Sequence, residues 1–417
     1  MNAEPVNDIF VARQPIFDPK QNVLAYELLY RSSMKNTYDA TDATSATLDV
    51  MRNAFLMLGP QLIGTKKAFI NFNRDLLNKR SAFSLRPEST VIEILEDVEV
   101  DDSIVAACRE LKGAGYVLAL DDFDQKNRST EALISLADII KVDFRSTTPE
   151  QRKAIVASNK NKKIQFLAEK VETIEEFEEA REMGYVYFQG YFFGKPVIVS
   201  AKNIPGSKLN YVRMLSEINQ PELDFRNLEK IIMQDTYFTY TLLNYMNSAY
   251  FSFRDHVTSI RQALVFLGER ELRKWASLII LTFIGVDRPS QVVVTSLVRA
   301  KFCEALTHKT DLADNGSELF MMGMLSLLDV LVGRPLAEIL ETMNVSKEVK
   351  IGLKGGNNRH GQLFRLVLAY EKADWQDVDL WAGKLSLDVS GISEAYRRSV
   401  EWADQVFEVQ PRTMPVN

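Results

Sequence analysis

Through its first half the chain alternates short apolar runs, each ending on or near a polar side chain, with segments of helical spacing. VLAYELLYR carries Glu27, AFINFN carries Asn71, VIEILE carries Glu93, and VLALDDF holds Asp121 and Asp122. DIIKVD holds Lys141 and Asp143, IQFLAEK holds Glu169, and YVYFQG holds Gln189. The runs predict strands near 10–16, 24–30, 69–73, 91–95, 117–121, 139–143, 164–169 and 186–190. SATLDVMRNAFLMLG, DSIVAACRELKGAG, TEALISLA, PEQRKAIVASN and TIEEFEEAREMG predict the intervening helices. Such alternation implies a parallel sheet, and about eight units in this length favour a closed barrel. The first run stands only ~7 residues from the second, too few for a crossover helix, so the two pair antiparallel through the DPKQN turn. The predicted fold class is therefore α/β, an irregular TIM-like (β/α)8 barrel with one antiparallel strand.

From Leu209 to about Phe407 almost every segment has helical spacing, and β-branched strands disappear. Asn-Gly (315–316), Gly-Arg-Pro (333–335) and GLKGGNNRHG (352–361) punctuate the helices. The change of pattern falls near 200–208, which predicts a barrel over 1–203 and an all-α domain over 204–407. A length of 417 residues, more than one hydrophobic core usually supports, agrees with two domains.

Composition changes this picture little. The 46% apolar and 25% charged fractions are those of an ordinary water-soluble protein. A net charge of -6 argues against broad phosphate-driven binding of nucleic acid. No apolar stretch is long enough to cross a bilayer, and ASLIILTFIGV (276–286) reads as a buried helix. MNAEPVNDIF lacks the pattern of a secretory signal, and Cys108 and Cys303 form neither a disulfide framework nor a metal knuckle. The expected compartment is the cytoplasm.

The polar residues carry the chemistry. Burying an unpaired charge is costly, so a series of carboxylates at strand ends points to a shared site at the barrel's C-terminal mouth. Except for Lys141, every member is a hard oxygen donor, which suits magnesium, manganese or calcium rather than zinc. Adjacent Asp121 and Asp122 would let one carboxylate bridge two ions, the arrangement used in phosphodiester hydrolysis. Lys141 would offset phosphate charge or hold the attacking water, and Glu169 would serve as ligand or base. Each residue also has a plainer reading: Asp101 and Asp102 cap the helix that follows them, and Lys141 with Asp143 forms an internal ion pair. The plain reading weakens as the set grows, because six strands would each have to misplace a charge independently.

In order along residues 8–200, YELLYR, INFN, VIEILE, LALDDF, IIKVD, AEKVET and FQGYFFGKP resemble the signature series of EAL domains. That resemblance implies a barrel that linearises cyclic di-GMP to pGpG with two Mg2+ or Mn2+ ions. By correspondence Glu27, Asn71, Glu93 and Asp121 are ligands of the first ion, with Asp121 bridging, Asp122 is a ligand of the second, and Glu169 is counted among the metal residues. Lys141 is the water-positioning lysine, and Asp122 and Glu169 are counted with it as catalytic. Arg31, Gln189 and Gln14 contact the substrate, and Glu96 and Glu172 brace the loop after the double aspartate. ELL stands where EAL is usual, Lys170 replaces a glycine, and FDQKNR (123–128) replaces a glycine-rich run that links dimerisation to metal binding. The altered loop motivates the alternative of a non-catalytic cyclic di-GMP receptor or interaction scaffold.

In the second half, LLNYMNSAYF (242–251) and SIRQALVFLGERELRKWASLIIL (259–281) resemble HDOD domains, helical relatives of HD metal hydrolases. Leu328-Asp329 stands where such a hydrolase needs His-Asp, and His256, His308 and His360 are scattered, so they read as surface or capping residues without a metal. Trp275 and Phe283 read as core. The architecture as a whole resembles the EAL–HDOD signalling proteins of bacteria, which implies control of motility or biofilm, a homodimer, and a protein partner on the helical half.

Overall fold

The computed structural model describes residues 10–31, 62–121, 131–159, 163–192, 260–285, 288–343 and 345–408, with a few positions between 211 and 257. The chain divides into two compact units. The first comprises Met1–Lys195 together with Leu368–Leu380 and Val389–Arg397, and the second comprises the remainder.

The first unit is built on eight strands: β1 (Phe10–Phe17), β2 (Val23–Arg31), β3 (Lys67–Phe72), β4 (Thr90–Ile94), β5 (Val117–Leu120), β6 (Ile139–Asp143), β7 (Gln165–Glu169) and β8 (Tyr187–Gln189). They close into a barrel in sequence order. β1 runs antiparallel to β2 and to β8, while the pairs from β2 through β8 are parallel, so the predicted irregular barrel is the observed one. Helices α1 (Arg74–Asn78), α2 (Asp102–Gly113), α3 (Glu131–Ile134), α4 (Pro149–Asn159) and α5 (Ile174–Met183) connect the parallel strands. Local chemistry starts several of them. Asp101 accepts from the amides of Ser103 and Ile104 to cap α2, Thr173 accepts from Glu176 N to cap α5, and Pro149 opens α4, where its missing N–H costs nothing. The SATLDVMRNAFLMLG segment (45–59) lies outside the described residues. The five-residue α1, which the spacing does not predict, exists on the strength of its Asn73 cap to Leu76 N.

Inside the barrel, Ile16, Ala25, Phe69, Val91, Ala119, Ile139 and Leu167 form one apolar cluster, with Val117 and Tyr187 packed against it. Each comes from a different strand among β1 to β7, and together they form a solid floor rather than a pore.

The second unit is helical. Its described elements include α6 (Ile260–Ile284), α7 (Ser290–Thr307), α8 (Gly316–Leu325), α9 (Leu328–Val332), α10 (Leu336–Thr342) and α11 (Lys347–Leu353). α6 is two helices joined across a kink at Gly268, and its second part buries Trp275 and Phe283 as expected of core residues. α7 and α8 approach so closely that a Cβ on Gly323 would lie 2.5 Å from Ala300 N. Gly323→Ala is therefore expected to lower the stability of the helical unit by roughly 1–3 kcal/mol through overpacking. Calorimetric melting of the full chain would check this, with the helical transition shifting down and the barrel's unmoved.

Of the histidines, His256 lies outside the described residues and His308 sits exposed at the end of α7. His360 departs from the surface reading. It is buried, with Nε2 3.1 Å from Glu318 Oε2, because that carboxylate, 42 residues earlier in the chain, supplies its polar partner.

Candidate active site

The site follows from the period of a strand. Side chains two residues apart share a face, so the residue two positions beyond each floor residue also points inward, one step nearer the C-terminal mouth. Ala25 leads to Glu27, Phe69 to Asn71, Val91 to Glu93, Ala119 to Asp121, Ile139 to Lys141, Leu167 to Glu169 and Tyr187 to Gln189. On antiparallel β1 the direction reverses, so Gln14, two before Ile16, joins the same level and pairs with Glu27 in the β1–β2 register. A polar ring therefore lies directly on the apolar floor.

Lys141 is central to it. Its ammonium, 1% exposed, lies 2.9 Å from Asp121, 2.7 Å from Glu169 and 3.8 Å from Glu27, and it also pairs with Glu93. Asp143 is not its partner, contrary to the plain ion-pair reading. That carboxylate bonds instead to Lys170 Nζ at 2.6 Å and to the amide of Arg145. Burial pushes the pKa of Asp143 up, but the bonds from Lys170 and the Arg145 amide outweigh it and hold the carboxyl below its usual range. Lys170 itself takes a left-handed backbone (φ 53) directly after Glu169. Adjacent-strand register explains the pairing, since Asp143 lies opposite Glu169 in the β6–β7 ladder. The paired charges in IIKVD and AEKVE are the signal in the sequence, but they do not say which lysine meets which carboxylate.

Glu27 is held by two amides. Asn71 Nδ2 donates to its Oε1 at 3.2 Å, and Gln189 Nε2 donates to its Oε2 at 2.6 Å and to Gln14 Oε1 at 3.1 Å. With their nitrogens so engaged, Asn71 Oδ1 and Gln189 Oε1 are left buried with no hydrogen-bond donor. Carboxylate oxygens of Glu27, Glu93 and Glu169 all lie within 4.8 Å of one another. Four carboxylates converge on this one ammonium, a set that attracts further positive charge. Orphaned carbonyl oxygen and clustered carboxylates together fit hard divalent cations.

The structure brings Gln14, Glu27, Asn71, Glu93, Asp121, Lys141, Glu169 and Gln189 to one level of one barrel. Arg31 ends β2, and its side chain lies outside the described residues, as do Asp122 and residues 123–128. Glu96 is exposed in the turn after β4, and Glu172 is half-buried after β7, with its amide donating to Glu176 Oε2 at 2.8 Å. Gly190, next to Gln189, has φ 141 and sits so tightly on Val171 that an added Cβ would fall 2.2 Å from its carbonyl oxygen. The glycine after the site glutamine is therefore required by the backbone itself.

Comparison with known proteins adds relatives of known family. The EAL domain model matches residues 44–196 and the HDOD domain model matches residues 204–347. The chain is 35% identical to the protein YuxH of Bacillus subtilis over 412 residues, 96% of this chain and 100% of that protein. It is 33% identical to the cyclic di-GMP phosphodiesterase CdgJ of Vibrio cholerae over 401 residues, 95% of this chain and 93% of that protein. Among solved structures, the manganese and cyclic di-GMP complex of Klebsiella pneumoniae BlrP1 is 28% identical, covering 46% of this chain and 56% of that one with a TM-score of 0.39.

Proposed function

The chain belongs to the family of proteins in which an EAL domain is followed by an HDOD domain, and from that premise we propose that it hydrolyses cyclic di-GMP to linear pGpG with two divalent ions, Mg2+ or Mn2+. The observation that supports this most is the polar ring on the barrel floor, in which three glutamates converge within 4.8 Å around buried Lys141. In this reading Glu27, Asn71, Glu93 and Asp121 would hold the first ion and Asp122 the second, with Glu169 also among the metal residues. Ions held there would supply charge neutralisation to the phosphodiester and acidity to water.

The chain's own residues do the rest. Lys141, fixed by its carboxylates, orients the attacking water and balances the charge that builds on phosphorus-bound oxygen. Glu169, 2.7 Å from Lys141, accepts the water's proton. Gln189 and Gln14 form one wall against the nucleotide, Arg31 holds a phosphate, and Glu96 and Glu172 brace the loop that carries Asp122. The proposal extends to a homodimer in the cytoplasm, with the helical half contacting a protein partner. None of the helices in the described residues is long and apolar enough to cross a membrane.

Incubating the purified full chain with cyclic di-GMP and Mn2+, then separating the products by chromatography, tests this. pGpG is the expected product, and a chelator should stop its formation. Absence of pGpG at high enzyme concentration would sink the hydrolase reading, and tight calorimetric binding without turnover would favour a receptor.

A further inference from the structure

β8 pairs with β1 only at Ile16 and Phe17, so among the described strands Phe10–Pro15 has β2 on one edge and no strand on the other. An open edge within a folded unit leaves main-chain groups that need partners. Here they come from the far end of the chain. The hydroxyl of Tyr370 donates to Val11 O at 3.3 Å, and Arg13 N donates to the hydroxyl of Tyr396 at 3.5 Å. Val11 and Arg13 are two apart, so they address the same edge. Both tyrosines are buried, and their rings stand 4.8 Å apart. They lie in Leu368–Leu380 and Val389–Arg397, the two segments that belong to the barrel's unit although they follow the HDOD match, which ends at residue 347. Burial pushes the pKa of the Tyr396 hydroxyl up to about 12 and that of Tyr370 higher still, so both stay protonated through the neutral range.

The residue after Arg13 is Gln14, whose Oε1 takes a bond from Gln189 Nε2, the same nitrogen that bonds Glu27 Oε2. We propose that Tyr370 and Tyr396 are positioning residues for the ligand ring: by fixing the outer edge of β1 they set Gln14, and through Gln189 they set the carboxylate of Glu27. The C-terminal segment is thereby a working part of the barrel site rather than an appendage to the helical domain. This inference rests on the divalent-ion reading of the ring above.

The test uses the full chain with Tyr370→Phe, Tyr396→Phe and the double variant, which keep both rings and remove only the hydroxyls. Mn2+ affinity is measured by calorimetry, hydrogen exchange is followed in peptides covering 10–31, and melting is recorded in chelator. The double variant should bind Mn2+ roughly 3- to 10-fold more weakly, less than the 10- to 100-fold typical of groups that touch a ligand directly. Exchange at residues 14–28 should quicken, and combining the double variant with Gln14→Leu should cost less than the sum of the two effects. Wild-type Mn2+ affinity in the double variant, with only a lower melting temperature, would overturn the positioning role. Should the double variant fail to fold, the single variants carry the same comparison. A wild-type chain whose Mn2+ affinity depends on the tyrosines but which makes no pGpG would overturn the hydrolase reading and leave this inference standing, whereas a chain that binds no Mn2+ overturns both.

Discussion

Lys141→Met is expected to abolish hydrolysis of cyclic di-GMP, lowering kcat by roughly 10^3-fold or more, because it removes both the charge and the water-orienting donor from the reacting centre. The same substitution has a second, opposite-looking signature. Lys141 is the ammonium that Glu27, Glu93, Asp121 and Glu169 share, so methionine leaves four carboxylates facing one another. Breaking a buried ion pair from one side costs about 3–5 kcal/mol. In chelator the variant should therefore melt well below wild type. Added Mn2+ should then raise its melting temperature more than it raises the wild type's, since the cation now replaces the missing charge. A thermal-shift titration checks this, and an equal Mn2+ response in both proteins would contradict the placement of Lys141.

Glu27→Ala is expected to eliminate metal-dependent turnover as well, by a different route. Its two oxygens anchor Asn71 at 3.2 Å and Gln189 at 2.6 Å. Without them, Asn71 Nδ2 loses its acceptor at about 1–3 kcal/mol, Gln189 Nε2 keeps only Gln14 Oε1, and the carbonyl oxygens they aim are released. The expected result is loss of activity at any Mn2+ concentration with the helical unit's melting transition intact. Glu27→Gln separates charge from geometry. With a single carbonyl oxygen it can accept from only one of the two amides while removing one negative charge, so it should retain more stability than alanine yet no more activity. Kinetics paired with calorimetric melting distinguish the two.

Much of the ring is legible in the sequence itself. Each ring residue follows an apolar residue by two positions, and that period alone assigns Glu27, Asn71, Glu93, Asp121, Lys141, Glu169 and Gln189 to one face of their strands. The short separation between the first two strands likewise dictates the antiparallel start. What stays hidden depends on distance along the chain. Nothing local tells Lys141 to choose four carboxylates over Asp143, two residues away on the same strand. The burial of His360 depends on Glu318, and α1 depends on a single cap rather than on periodicity. Tyr370 and Tyr396 look like ordinary helix core, and only the closed barrel reveals that they reach the main chain of β1, more than 350 residues earlier.

The two-position offset between floor and ring also sets what kinds of change this protein can absorb. Substituting a floor residue alters packing, and substituting a ring residue alters chemistry, and each effect stays within its own level. Losing or gaining one residue within a strand is different in kind. It inverts that strand's faces beyond the lesion, turning a ligand out toward the helices and pushing an aliphatic side chain into the cluster of charges. The strands are thus locked in length though permissive in composition. A change of length is tolerated only in the connections between them, where added or missing residues leave the inward parity of every strand untouched.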